Sequence, residues 1–82
     1  MPTVLKLAGY RFFFYSDEGD PREPAHIHAR ADGCEAKFWL NQDVTLAYNQ
    51  GFDARTLRWI ARQVEQHRDA FERAWDDHFS IT

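Results

Sequence analysis

Two histidines one residue apart, His26 and His28, stand in the stretch EPAHIHARADGCEAKFWL, residues 23–40. Imidazole changes charge near neutral pH and also ligates metals. On an extended chain, positions i and i+2 point to the same side, so the two rings share a face. Three chemistries fit such a pair. The first is zinc, with Glu23 or Glu35 adding a carboxylate; a catalytic site needs three protein ligands and a structural one four. The second is metal-free acid–base catalysis of the ribonuclease kind. There His26 and His28 would move protons while Arg30 and Lys37 hold phosphate. The third is recognition, in which Glu23, Arg30, Glu35, Lys37 and Trp39 form a binding surface for a protein partner, since Arg and aromatic rings are enriched at interface hot spots. Lys37 bears on the first two readings: a cation facing His28 opposes a bound dication and favours the neutral ring that a general base needs. A plain solvated face is the bland alternative, because the uncovered side of a sheet is polar by default.

The element that positions these residues is a hairpin. Asp32-Gly33 between two alternating runs is a signature of a two-residue primed turn. It sets the pairing Ala31 with Cys34, Arg30 with Glu35, Ala29 with Ala36, His28 with Lys37, Ile27 with Phe38 and His26 with Trp39. One face then carries Ile27, Ala29, Ala31, Cys34, Ala36, Phe38 and Leu40. The other carries His26, His28, Arg30, Glu35, Lys37 and Trp39. A slip of one residue would mix the sets.

Around this hairpin, a first strand is expected within 4–15, bent at Gly9. SDEGDPREPA reads as an acidic loop, and VTLAY as a further strand. Residues 53–79 contain no Gly or Pro and follow a helical period from an Asp53 N-cap. The apolar stripe is Leu57, Ile60, Ala61, Val64, Phe71, Trp75 and Phe79, with Trp59 on the opposite side. The expected fold is therefore α+β: an antiparallel sheet of about four strands with one long C-terminal helix on one face, β-β-β-β-α, in a single domain over 1–82. A helix over 53–79 would reach roughly 40 Å at about 1.5 Å per residue. A strand of about six residues covers only about 20 Å. The far end must be covered by TVLKL, by a helix break, or by a second chain.

Composition narrows the function class. The chain has 82 residues, a net charge of -3 and one cysteine. The acidic balance argues against duplex DNA, whose binding relies on a basic face, and leaves RNA open. A lone Cys34 forms no intramolecular disulfide and no cysteine zinc cluster. The N-terminus lacks a secretory pattern and no apolar run is long enough for a bilayer, so the expected location is cytoplasmic, with no membrane partner. Aromatic residues make up 16% of the chain. Tyr10, Phe12 and Phe14 alternate with Phe13 and Tyr15, so both faces of the first strand are aromatic, more than one helix is expected to bury. This surplus, with Trp39 and Trp59, favours association with a partner or with a second copy.

The residues GYRFFFYSDEGD, REPAHIHARADGCEAKFWL, NQGF and AWDDHF resemble the small bacterial family called domain of unknown function 4160, over nearly the whole chain. The most specific matches are Glu23-Pro24-x-His26-x-His28, Glu35-Ala36-Lys37-x-Trp39, Gly51-Phe52 and Trp75. The sequence departs at Ala25, where the family commonly has a second proline, and at Ala29, where valine is usual. The resemblance implies no settled activity. Family members often stand beside a gene for another small protein, domain of unknown function 2442, which implies one component of a toxin–antitoxin-like pair. The expected function is thus a protein-binding module with a cognate small partner, possession of a cofactor not being required. The metal-independent ribonuclease on His26 and His28, and a zinc-dependent hydrolase on the same His-x-His, remain the alternatives.

Overall fold

A computed structural model describes residues 3–17 and 23–79. Its described residues form five strands, β1 (Thr3–Leu7), β2 (Tyr10–Phe13), β3 (His26–Ala31), β4 (Cys34–Trp39) and β5 (Thr45–Gln50), followed by two helices, α1 (Ala54–Gln66) and α2 (Arg68–Phe79). The strands make one antiparallel meander in the order β1-β2-β3-β4-β5. The α+β class stands, but the expected four strands and one helix are corrected to five and two.

The extra strand arises because the chain reverses at Ala8-Gly9 instead of bending there. Both residues have positive φ, 53° and 84°, the twist that a two-residue primed hairpin needs. Alanine seldom adopts that conformation, so the turn has no sequence signature. The Asp32-Gly33 turn repeats the geometry with φ of 52° and 78°, and here the residue types announce it. All six expected β3–β4 pairs occur, from Ala31 with Cys34 to His26 with Trp39.

The single long helix is broken at His67, which has φ -103° and ψ 12°, in the bridge region between helix and strand conformations. Its N–H donates to Gln63 O at 3.0 Å, and its carbonyl accepts from Phe71 N at 2.9 Å. No Gly or Pro marks the place, and a straight helix over the whole segment would overrun strands of six residues. The break lets α2 lay Phe71 on Phe12, with ring centroids 5.6 Å apart, and Trp75 on Phe14 at 5.3 Å. TVLKL also contributes, because β1 packs Val4, Leu5 and Leu7 against the core. At the other end of the helical segment, Asp53 caps α1 as expected, its Oδ1 accepting from Thr56 N at 2.7 Å.

On the helix side the core joins Phe12, Phe14, Ile27, Ala29, Ala36, Phe38 and Leu40 to Ile60, Val64, Phe71 and Trp75. Cys34 is only half-buried at the hairpin tip. Gly51 lies against it: φ is 105°, and a Cβ there would stand 2.7 Å from Cys34 Sγ. No helix among the described residues is long and apolar enough to cross a membrane.

The expected surplus of exposed aromatic surface does not appear. Phe12, Phe13 and Phe14 are 0%, 0% and 1% exposed, so both faces of β2 are covered within the chain. Trp59 is also half-buried, packed on Tyr10 at 5.0 Å. The β1–β2 hairpin explains this, since it brings Tyr10 up to the flank of α1.

Candidate functional site

The His-x-His motif sits on the sheet face opposite the main core, yet it does not meet water. His26 is 0% and His28 2% exposed. The register of β2 against β3 places Phe13 directly across from His28, and the two rings stack at 5.3 Å and 20°. Tyr15 meets the same imidazole edge-on at 4.9 Å. Tyr48 approaches from β5, two strands away, at 6.1 Å. His26 touches His28 at 5.2 Å and Trp39 at 5.5 Å, and Trp75 of α2 closes over it at 4.6 Å. The expectation that both rings face away from the helices is therefore corrected for His26. The second face of this sheet is itself a small core, built from aromatic rings around two imidazoles.

Burying polar groups in such a cluster requires partners, and Glu35 supplies the central one. Tyr48 Oη donates to Glu35 Oε2 at 2.6 Å, and Tyr15 Oη donates to Oε1 at 3.2 Å. With the Tyr48 proton committed to the carboxylate, the phenolic oxygen is free to accept. His28 Nδ1 lies 3.2 Å from that oxygen and 3.3 Å from Glu35 Oε2. These neighbours assign the proton to Nδ1, which donates to both. His26 Nδ1 likewise donates to Pro24 O at 2.9 Å. Both rings thus have one tautomer fixed by an acceptor, and in the neutral state each carries its lone pair on Nε2. A carboxylate on Nδ1 is how proteins orient an imidazole for proton transfer or for metal binding.

The remaining sequence-predicted residues divide by position. Lys37 stands opposite His28 in register, and its ammonium engages other groups. Its Nζ donates to Glu23 Oε1 at 3.2 Å and lies 4.3 Å from the Trp39 ring centroid, a cation–π contact. Glu23, Lys37 and Trp39 therefore form one partly exposed group toward the open end of the β3–β4 hairpin. Arg30 is exposed and remote in character from this group. It pairs in register with both Glu35 and Arg11, but the Glu35 carboxylate turns to the two tyrosines and His28. For zinc, no group of three or more His, Cys, Asp or Glu that could hold a metal ion exists among the described residues.

Sequence reasoning missed Tyr48, Tyr15, Phe13 and Trp75 as members of the histidine cluster. Alternation already placed Phe13 and Tyr15 on one face. What the sequence lacked was the β2–β3 register, because the long acidic loop between them does not set it. Tyr48 was hidden for the same reason, since no turn of defined type joins β4 to β5.

Comparison with curated proteins gives no match to the chain, and comparison with solved structures gives none. A family model does match. Residues 9–76, which hold the hairpin, the histidine cluster and nearly all of both helices, fit Domain of unknown function (DUF4160), and the chain belongs to that family.

Proposed function

We propose that this protein works by binding a cognate small protein, as one component of a toxin–antitoxin-like pair. The observation that carries the reading is the burial of both imidazoles. Their Nδ1 atoms are held by Pro24, Glu35 and Tyr48, and their faces by Phe13, Tyr15, Trp39 and Trp75. In this role the histidines are architecture: they stiffen the outer face and set the position of what lies at its edge. The members of the motif that reach the surface are Glu23, Arg30, Lys37 and Trp39, an indole with charges around it, which is the usual make-up of a recognition surface. Beside them β5 is the last strand of the sheet among the described residues, and its Leu46 is 47% exposed. An open strand edge next to an aromatic anchor suits a partner that adds a strand or packs a side chain there.

Co-expression with the neighbouring gene product, followed by size exclusion, tests this. The two chains are expected to co-elute, and Trp39→Ala is expected to separate them. A chain that elutes alone as a stable monomer, with Trp39→Ala behaving as wild type, refutes the proposal. The orienting contact between Glu35 and His28 favours one rival, the metal-independent ribonuclease. Pure protein incubated with RNA, with and without chelator, decides it: RNA left intact by the wild type removes the enzyme reading. Elemental analysis after native purification does the same for zinc.

A further inference from the structure

Away from the histidine cluster, a cleft of about 580 Å³ opens between the β1–β2 turn and α1, lined by Ala8, Tyr10, Arg55, Thr56, Trp59 and Arg62. Its volume lies in the range of small-molecule sites, roughly 300–1,000 Å³. Arg55, Trp59 and Arg62 are spaced i, i+4, i+7 and therefore form one stripe along the helix. The two arginines stand on either side of Trp59 in that stripe, with their Cα positions separated by about 10 Å along the axis. Tyr10 packs against the same indole at 5.0 Å and 46°, so the cleft has a two-ring aromatic wall.

The polar side chains of the lining are all able to donate, and none is acidic. Neither Arg55 nor Arg62 forms a salt bridge to any described residue. Arg55 acts on the N-cap Asp53 only through its charge, while the Asp53 Oδ1 accepts from Thr56 N. Arg68 shows the contrast: it donates to Leu40 O and Asn41 O and pairs with Glu72 at 3.4 Å. A chain with net charge -3 thus keeps two cations facing one aromatic-walled cleft. Guanidinium groups recognise phosphate, and an indole face takes a planar ring.

We propose that the Arg55–Trp59–Arg62 cleft binds a nucleotide, with the base against Trp59 and Tyr10 and the phosphate on the arginines. The ligand is either free nucleotide or a nucleotide within a single strand; both present the same chemistry. The acidic whole-chain charge of -3 favours a compact ligand over a long strand.

The test is an NMR titration of the full chain that follows the Trp59 indole N–H, assigned with Trp59→Phe. Probes are adenosine monophosphate, adenosine, inorganic phosphate, a short oligoadenylate and an acidic peptide. Adenosine monophosphate is expected to shift Trp59 saturably, and adenosine or phosphate alone to bind at least about tenfold more weakly. Arg55→Gln with Arg62→Gln, both on exposed helix positions where folding is not at stake, is expected to weaken nucleotide binding by about tenfold or more. Oligoadenylate binding tighter than the mononucleotide assigns the strand as source, and equal or weaker binding assigns the free nucleotide. No Trp59 shift with either nucleotide probe, a shift unaffected by the double substitution, or preference for the acidic peptide overturns the proposal.

Discussion

Replacing Glu35 with alanine removes the acceptor of two tyrosine hydrogen bonds and the carboxylate beside His28. Tyr48 at 2.6 Å, Tyr15 at 3.2 Å and His28 Nδ1 at 3.3 Å all converge on this carboxylate. The shortest bond is worth about 1.5–3 kcal/mol as a charge-assisted pair, and the two longer ones less. Glu35 is 15% exposed, so water re-solvates part of what is lost, and contributions within one network do not simply add. The expected cost of Glu35→Ala is then about 3 kcal/mol, a large share of the 5–15 kcal/mol typical of a domain. With a urea slope of about 1–1.5 kcal/mol/M for a small protein, the unfolding midpoint falls by roughly 2–3 M. Arg30→Ala, directly opposite Glu35 on β3 but with an exposed side chain, is expected to change stability by less than about 0.5 kcal/mol. Tyr48→Phe should cost about half as much as Glu35→Ala, and the double variant should cost less than the two together, since they share one bond. A Glu35→Ala midpoint equal to that of Arg30→Ala, or strict additivity with Tyr48→Phe, would refute the view that this carboxylate anchors the outer face.

Phe13→Ala is expected to destabilise as much as Phe12→Ala, about 3–5 kcal/mol each by urea melting; a cost under about 1 kcal/mol for Phe13 would mean the second core does not exist. Ala8→Asn should raise stability by a few tenths to about 1 kcal/mol, since asparagine tolerates the positive φ of 53° found there better than alanine does; thermal melting reads it. Asp53 titrates below its ordinary value, chiefly because its carboxylate accepts from the Thr56 backbone N–H. A carboxylate depressed on folding stabilises at pH above its unfolded value and loses that effect as pH falls through the folded one. The melting temperature of wild type relative to Asp53→Asn, which caps without titrating, is therefore expected to fall as the solution is acidified below the ordinary carboxylate range.

How much of this was legible beforehand depends on where distance information resides in a chain. The Asp32-Gly33 turn joins β3 to β4 with no slack, and its residue types specify its twist, so six pairs and the sorting of side chains onto two faces followed from local chemistry. The Asp53 cap and the stripe from Leu57 to Phe79 were local in the same sense. The reversal at Ala8-Gly9 was not, because alanine in that conformation is chosen by the packing of β1 on β2 and not by its own preference. Nor was the break at His67, where no Gly or Pro signals a stop and the packing of α2 on the sheet accompanies it.

The candidate site shows the same division. The sequence alone determined that His26, His28, Arg30, Glu35, Lys37 and Trp39 share one face, because alternation along a strand is a property of the backbone. Only the tertiary structure decided that this face is sealed at the histidines and open at Lys37 and Trp39. That outcome depends on the registers of β2 and β5 against the hairpin and on where α2 delivers Trp75. Those placements are made by many weak contacts between segments far apart in the chain, and no short stretch of residues encodes them.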